Sequence, residues 1–137
     1  MSLAGSIICL PFLFILPVPG SAAWPYILIS AGLLSGSMTA ERAGEQFTAL
    51  AETLLEHLFA SVRVEFAKRH GTIPGAQAGL LAFGKMASRE MTVSSDLDFI
   101  LLYHVNGGAE ESDGEKPLSV TQYFTRLTQR LVAAVTS

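Results

Sequence analysis

The chain has 137 residues, a formal net charge of -3 and an isoelectric point near 5.5. This length supports one small domain with a hydrophobic core. An acidic chain without a broad patch of Lys and Arg argues against nucleic acid as its main partner. The single cysteine, Cys9, excludes both an intramolecular disulfide framework and a zinc site built on cysteines.

The start of the chain differs from the rest in composition. The first 40 residues contain no Asp, Glu, Lys, Arg or His. Two apolar stretches, at residues 7–16 and 22–34, are separated by two prolines and a glycine within residues 17–20. A bilayer-spanning helix needs about 20 apolar residues, which the two stretches together supply, but the prolines would kink or split that helix.

Three interpretations of this apolar head stay open. It makes membrane contact through residues 7–34; or it is a signal peptide with the small residues Ser21 and Ala23 near a cleavage point, although the usual basic start is absent; or it is an extension unrelated to the domain that follows. If the head inserts, the first basic residue, Arg42, comes after it and favours a cytoplasmic location for the remainder.

The charged part of the chain predicts an α+β domain over residues 37–137, following a head of residues 1–36. A long amphipathic helix is predicted over residues 39–70, ended by Gly71. Its apolar residues recur at steps of three and four, at Phe47, Leu50, Leu54, Leu58, Val62 and Phe66.

Two strands and a second helix follow. The first short strand is predicted at residues 80–83, and the second, almost entirely apolar, at residues 97–105. Residues 106–117 are polar and glycine-rich, which indicates an exposed loop. A capping box of Ser119 and Gln122 then opens a helix. Its apolar face consists of Val120, Phe124, Leu127, Leu131 and Val135.

Two aspartates open the second strand and are the main candidates for chemistry. Alternate side chains of a strand point the same way, so Asp96 and Asp98 would lie side by side, about 6.5–7 Å apart at the backbone. Carboxylate oxygens are ligands that magnesium prefers, and substrate phosphates usually complete its shell. Two buried carboxylates in an apolar strand would be costly without a cation or hydrogen bonds.

A turn of small and basic residues precedes the aspartates. The start of a short helix at Ala87 and Ser88 would offer backbone N–H groups and a hydroxyl to a phosphate. Lys85 and Arg89 would add positive charge. A carboxylate-held metal facing a phosphate-binding helix start is the arrangement that phosphoryl and nucleotidyl transfer require.

Over residues 40–137 the chain resembles the bifunctional glutamine-synthetase adenylyltransferase/adenylyl-removing enzymes of the DNA-polymerase-β-like nucleotidyltransferase superfamily. The resemblance is carried by Gly84-Lys85-Met86, Arg89-Glu90-Met91, Ser95-Asp96-Leu97-Asp98, Leu101-Leu102-Tyr103, Ser112-Asp113-Gly114, Pro117-Leu118, Gln122-Tyr123-Phe124 and the run from Arg126 to Leu131. It implies a nucleotidyltransferase-like partial domain. The Ser-Asp-Gly loop and the Gln-Tyr-Phe helix are more similar to the adenylylating half of that family.

The resemblance also implies the ligands and the partner. Asp96 and Asp98 would hold magnesium, and ATP would be the nucleotide. The phosphates would lie against a group of residues that comprises Gly84, Lys85, Ala87, Ser88, Arg89 and Ser95. A tyrosine of glutamine synthetase would accept AMP, or release it by phosphorolysis, as a means of regulating nitrogen assimilation.

Two departures from the family pattern limit these expectations. Ala87 stands where the superfamily turn usually holds glycine, which requires that this residue keep a negative φ. The family's third carboxylate lies on a later strand that the chain does not reach before Ser137. We therefore expect weak or no transferase activity from the chain alone. The alternatives are a membrane-anchored fragment without catalysis and a module that binds nucleotide without turnover.

Overall fold

The computed structural model describes residues 2–11 and 23–136. Its elements, in chain order, are strand β1 (Ser2–Pro11), helix α1 (Ala23–Leu34), helix α2 (Ala40–His70), strand β2 (Ala76–Ala82), helix α3 (Gly84–Ser88), strand β3 (Asp96–Val105) and helix α4 (Val120–Thr136). The chain thus has the α+β organisation that the sequence predicts, with a long helix ahead of the two predicted strands and a second long helix behind them.

The sheet contains three antiparallel strands in the order β1-β3-β2, rather than the two strands predicted. The additional strand comes from the apolar head: Cys9 pairs with Asp98, and Pro11 pairs with Asp96. On its other edge β3 pairs with β2, from Ala82 opposite Phe99 onward. Because β3 lies between two partners, its backbone polar groups find partners on both edges.

Strand β2 is longer than the predicted strand at residues 80–83, because it begins at Ala76. Its first four residues, Ala-Gln-Ala-Gly, have little intrinsic preference for strands. Pairing with β3 recruits them, since the register continues from Leu80 opposite Leu101 back to Ala76 opposite Val105. Tertiary pairing therefore extends an element whose own composition defines only its second half.

The two faces of β3 differ in burial, which decides where the aspartates lie. Leu97, Phe99, Leu101 and Tyr103 point into the core and are at most 8% exposed. The residues that alternate with them, including Asp96 and Asp98, lie on the opposite face, where burial is less complete. An antiparallel sheet commonly packs one face on the core and leaves the other accessible.

Helix α2 begins and ends at the predicted positions. Thr39 is its N-cap, with its side-chain oxygen accepting the backbone N–H of Arg42 at 3.3 Å. Gly71 is its C-cap with a φ of 69°. The buried stripe differs from the predicted one, because Leu50, Leu54, Leu58 and Val62 are only partly buried. The buried residues are Ala43, Gly44, Phe47, Thr48, Ala51, Leu55, Phe59 and Phe66.

Helix α4 covers the core face of the sheet as its apolar pattern predicts. Phe124, Leu127, Leu131 and Val135 are buried. The Phe124 ring stacks on Tyr103 of β3, with centroids 4.0 Å apart and ring planes 11° apart. The buried residues of α2 and α4 join those of β3 in one hydrophobic core.

Part of the apolar head packs on this domain. Tyr26 of α1 contacts Phe47 of α2, with ring centroids 5.5 Å apart. Helix α1 has 12 residues, which corresponds to about 18 Å of helix against a bilayer core of about 30 Å. Within residues 2–11 and 23–136, no helix is both long and apolar enough to cross a membrane. Residues 7–11 of the stretch considered for membrane contact belong to β1, and residues 12–22 lie outside the described residues. The prolines and the proposed cleavage point lie mostly outside the described residues.

Candidate active site

The predicted metal ligands lie at the start of β3, on the sheet face away from the core. Asp96 is exposed and Asp98 is half-buried. The expectation of two buried carboxylates is therefore wrong, because the face that they occupy is accessible. Solvent reaches both groups, so the free site does not bear the full cost of burying two charges.

The side chain of Asp98 points toward Gly84, the first residue of α3. A Cβ atom added at Gly84 would lie 2.7 Å from the Oδ2 atom of Asp98. Gly84 has a φ of 55°, a conformation that side chains with a Cβ rarely adopt. The backbone brings the two segments together here, since the N–H of Phe83 donates to the carbonyl oxygen of Asp98 at 2.7 Å. A carboxylate thus lies beside the beginning of a helix.

The short helix starts earlier than the sequence predicts, at Gly84 and not at Ala87. Helix α3 comprises Gly84–Ser88, so Ala87 and Ser88 lie at its C-terminal end and not at its start. The N–H of Ala87 donates to the Phe83 carbonyl at 3.2 Å. The Ser88 hydroxyl donates to a carboxylate oxygen of Glu90 at 3.1 Å. The residues at the helix start are instead Gly84, Lys85 and Met86.

Arg89 is the only non-glycine residue with a positive φ in the described part of the chain, at 61°. Ala87 therefore meets the condition that its replacement of glycine imposes. The Arg89 guanidinium bonds both carboxylate oxygens of Glu52, at 3.2 and 3.1 Å. The sequence interpretation assigned this charge to a phosphate, whereas here it joins α3 to α2. Both side chains remain almost half exposed.

Ser95 closes the turn that leads into β3. Its side chain is buried, with an exposure of 3%. The Ser95 Oγ accepts the backbone N–H of Thr92 at 2.7 Å, and the Ser95 N–H donates to the Thr92 carbonyl at 3.1 Å. These two hydrogen bonds hold the turn from Thr92 to Ser95, which leads directly into Asp96.

Two residues that the sequence interpretation missed support the same turn. One is Glu52, described above. The other is Gly44 of α2, where an added Cβ would lie 3.2 Å from the Arg89 carbonyl oxygen and 3.3 Å from the Glu90 Cα. A glycine inside a helix is a signal of close backbone approach, and such a signal was present at Gly44. Nothing local indicates which segment approaches it.

The donor set fits a magnesium ion only in combination with a substrate. Within the ranges 2–11 and 23–136, no three His, Cys, Asp or Glu side chains come together as a metal cluster. Asp96 and Asp98 supply hard oxygen atoms on an accessible face. Magnesium is commonly bound through one or two carboxylates, with phosphate oxygens and water completing the shell. The pair therefore suits a metal that arrives with, or is completed by, a phosphate ligand.

A family model described as glutamate-ammonia ligase adenylyltransferase matches residues 25–137. This match begins before the predicted boundary at residues 36 and 37 and includes nearly all of α1. The family resemblance inferred from the motifs is thereby confirmed.

Three relatives share the name bifunctional glutamine synthetase adenylyltransferase/adenylyl-removing enzyme. That of Brucella suis biovar 1 (strain 1330) is 49% identical over 116 residues, which cover 85% of the chain and 12% of the relative. That of Bartonella henselae is 50% identical over 110 residues, covering 80% and 11% respectively. That of Xanthobacter autotrophicus is 49% identical over 113 residues, covering 82% and 11%.

The chain thus spans 11–12% of the length of these relatives. Within that span the identity is close to one half. The residues that the family model matches include every element from α2 to α4. The chain belongs to the glutamate-ammonia ligase adenylyltransferase family.

Proposed function

We propose that the chain forms the nucleotide- and metal-binding part of a domain that transfers AMP from ATP to a tyrosine of glutamine synthetase. The observation that carries the proposal is the approach of the Asp98 carboxylate to Gly84 at the start of α3. A metal-ligating oxygen beside a helix start is what a triphosphate requires, because the metal and the backbone N–H groups act on neighbouring phosphate oxygens.

In this proposal Asp96 and Asp98 hold magnesium together with oxygen atoms of the triphosphate. The bound metal would neutralise phosphate charge and so favour departure of pyrophosphate. Pairing with β1 and the hydrogen bond from the Phe83 N–H to the Asp98 carbonyl oxygen hold the backbone of the two aspartates. Their side chains are thereby positioned before the nucleotide binds, which lowers the entropic cost of assembling the site.

The start of α3 would receive the phosphates. The first backbone N–H groups of a helix have no partner within the helix. Gly84 allows the phosphates to approach closely because it has no side chain, and Lys85 adds an exposed charge that no ion pair in the described part of the chain neutralises. Ala87, Ser88, Arg89 and Ser95 would then shape the turn, with Ser88 and Arg89 bonded to carboxylates in the free chain.

The direction of the reaction is part of the same proposal. The relatives' names cover both transfer and removal of an adenylyl group. The motifs around Asp113 and Tyr123 resemble the adenylylating half, so we favour attack by the tyrosine hydroxyl on the α-phosphorus of ATP. That attack forms the phosphodiester bond to AMP and breaks the bond to pyrophosphate, while the hydroxyl proton passes to solvent or a base.

Calorimetric titration of the chain with ATP in excess magnesium tests the nucleotide site. We expect Asp96→Asn combined with Asp98→Asn to lower affinity by about tenfold or more, because two charge-bearing metal ligands are lost. A matched control is Glu56→Gln combined with Glu115→Gln, two exposed carboxylates away from the aspartates that make the same change of net charge.

Equal heats from the parent and the aspartate variant would overturn the metal-site assignment. A second assay follows label from the α-phosphate of ATP into glutamine synthetase. Any transfer, however weak, that is lost in the aspartate variant and kept in the control supports adenylylation and contradicts the alternative of a module that binds nucleotide without turnover. We expect transfer by the chain alone to be weak or absent.

A further inference from the structure

A second charged feature lies away from the aspartates, in a pocket of about 380 Å³ between the end of α2, the loop before α4, and α4 itself. Its basic side chains are Arg69, Lys116, Arg126 and Arg130, with His70 beside them. We refer to this feature as the cationic pocket. It holds four of the nine Lys and Arg residues of an acidic chain.

No ion pair within the described part of the chain neutralises the charges of the cationic pocket. The two ion pairs of the described residues join Lys68 to Glu65 and Arg89 to Glu52, so none of the four pocket cations takes part in one. The nearby carboxylate of Asp113 accepts the backbone N–H of Thr72 and so is engaged elsewhere. Clustered like charges repel one another, and an anion that binds among them relieves that repulsion.

Backbone contacts hold the pocket in shape. The Lys116 N–H donates to the Arg69 carbonyl at 3.1 Å, and the Gly114 N–H donates to the His70 carbonyl at 3.2 Å. In addition, the His70 Nδ1 lies 2.8 Å from the Lys116 carbonyl oxygen. These bonds secure the loop against the last turn of α2. They also use carbonyl groups at the helix end that would otherwise repel an anion.

The two arginines of α4 complete one wall. Residues four apart on a helix lie on the same face, so Arg126 and Arg130 present their side chains together. Arginine offers several N–H donors in a planar fork, which suits bidentate bonds to phosphate and carboxylate groups. The four basic side chains line a single pocket and not an extended stripe, which favours a small ligand over an extended polymer.

We propose that the cationic pocket binds a small polyanion that carries two or more phosphate or carboxylate groups. The site is separate from the proposed nucleotide site. Helix α2 leads through Gly71 to Ala76, which pairs with Val105 at the end of β3. Asp96 lies at the other end of this ten-residue strand, about 30 Å along the sheet.

Amide NMR spectra of the isotopically labelled chain locate the binding site residue by residue. Inorganic pyrophosphate is added at constant ionic strength without magnesium or ATP, so that the nucleotide site lacks its metal. We expect the amide signals of Arg69, Lys116 and Gln129 to shift in a saturable manner, while those of Asp96 and Asp98 stay in place. A parallel titration with succinate distinguishes phosphate from carboxylate recognition, and saturation by either supports the proposal.

Charge-matched variants test the role of the arginines. We expect Arg126→Gln combined with Arg130→Gln to weaken pyrophosphate binding by about tenfold, a modest figure because the side chains are exposed. The control, Arg42→Gln combined with Lys68→Gln, makes the same change in net charge outside the pocket. A second variant, Arg69→Gln with Lys116→Gln, removes two other charges of the same pocket and tests the proposal if the first variant does not fold.

Three results would overturn the proposal. One is the absence of saturable shifts with both anions, and another is an equal loss of affinity in the control, which indicates a general effect of net charge. The third is a set of shifts centred on Gly84, which places the anion at the nucleotide site. Magnesium and ATP are absent from these titrations. A negative result for the cationic pocket therefore does not contradict the proposed nucleotide site.

Discussion

At the scale of single residues, the site depends on the close approach of Gly84 and Asp98. The positive φ of Gly84 and the carboxylate beside it leave no room for a Cβ atom. Family resemblance predicts this glycine as a nucleotide contact. Its second role, as the residue that admits the Asp98 carboxylate, depends on strand pairing and had no local signal.

Gly84→Ala tests that second role. We expect the free energy of unfolding to fall by about 1–2 kcal/mol because alanine is strained in a left-handed backbone conformation. Displacement of the Asp98 carboxylate should weaken magnesium-dependent ATP binding as well. Chemical denaturation and calorimetry measure the two effects.

Gly79→Ala is the matched control for this substitution. Gly79 lies in β2 with open space around its Cβ position and without a positive φ. We expect its unfolding free energy to be unchanged or slightly raised, since glycine weakens a strand interior. A loss of stability in both variants alike would contradict the specific argument about Gly84.

At the scale of elements, the end of α2 is tied to α4 by a side chain that titrates. The Tyr123 hydroxyl donates to the Gly71 carbonyl oxygen at 3.0 Å, and its ring packs edge-on against Phe66, with centroids 5.0 Å apart. Burial raises the pKa of the Tyr123 phenol above its ordinary value of 10.0; Arg63 opposes this shift and Asp113 adds to it. The protonated phenol is therefore the form that the folded state favours.

This coupling predicts a stability loss at high pH. A group with a raised pKa in the folded state binds its proton more tightly there, so its contribution is fully present below pH 10.0 and is lost as the pH rises through the folded pKa. Tyr123→Phe should cost about 1 kcal/mol at pH 8 through the lost hydrogen bond. The difference between parent and variant should narrow above pH 10.0.

Urea unfolding of both proteins across this pH range measures the effect. Tyr26→Phe serves as a comparison. Burial also raises the pKa of Tyr26, but its hydroxyl donates a longer hydrogen bond, of 3.3 Å, to the Val93 carbonyl oxygen. A difference between parent and Tyr123→Phe that stays constant through this range would refute the assignment.

At the scale of the whole molecule, one core joins the sheet to α2 and α4, and β3 lies at its centre. Leu101→Ala should lower the free energy of unfolding by about 2–5 kcal/mol, since Leu101 is fully buried and its truncation leaves a cavity. Leu81→Ala is the control, because Leu81 lies in β2 and is 45% exposed. We expect a loss below about 1 kcal/mol there.

Thermal and denaturant unfolding of the two leucine variants give the comparison. Similar losses in both would show that the accessible face of the sheet is covered as fully as the core face. That outcome would contradict the location proposed for the nucleotide, because the aspartates share this face.

Average composition also conceals the distribution of charge over the molecule. The net charge argued against an extended nucleic-acid surface, and the cationic pocket does not alter that conclusion because it is confined to one place. No local pattern in the sequence indicates this pocket. Its four cations are spread between residues 69 and 130, and only the packing of α4 against α2 brings them together.

The sequence by itself determined the features that depend on local patterns. Apolar periodicity predicted α2 and α4, Gly71 predicted the end of α2, the capping box at Ser119 predicted the start of α4, and an apolar run predicted β3. Short motifs were sufficient to identify the family. These signals are local because helix periodicity, caps and strand composition act over a few neighbouring residues.

Only the tertiary structure decided the features that require distant segments to meet. Strand β1 pairs with β3 across the chain, Arg89 turns to Glu52, and the Asp98 carboxylate lies beside Gly84. The aspartates lie on the accessible face because α2 and α4 cover the other one. Such contacts have no periodic signature, since their energy comes from packing and pairing between residues that are far apart in the sequence.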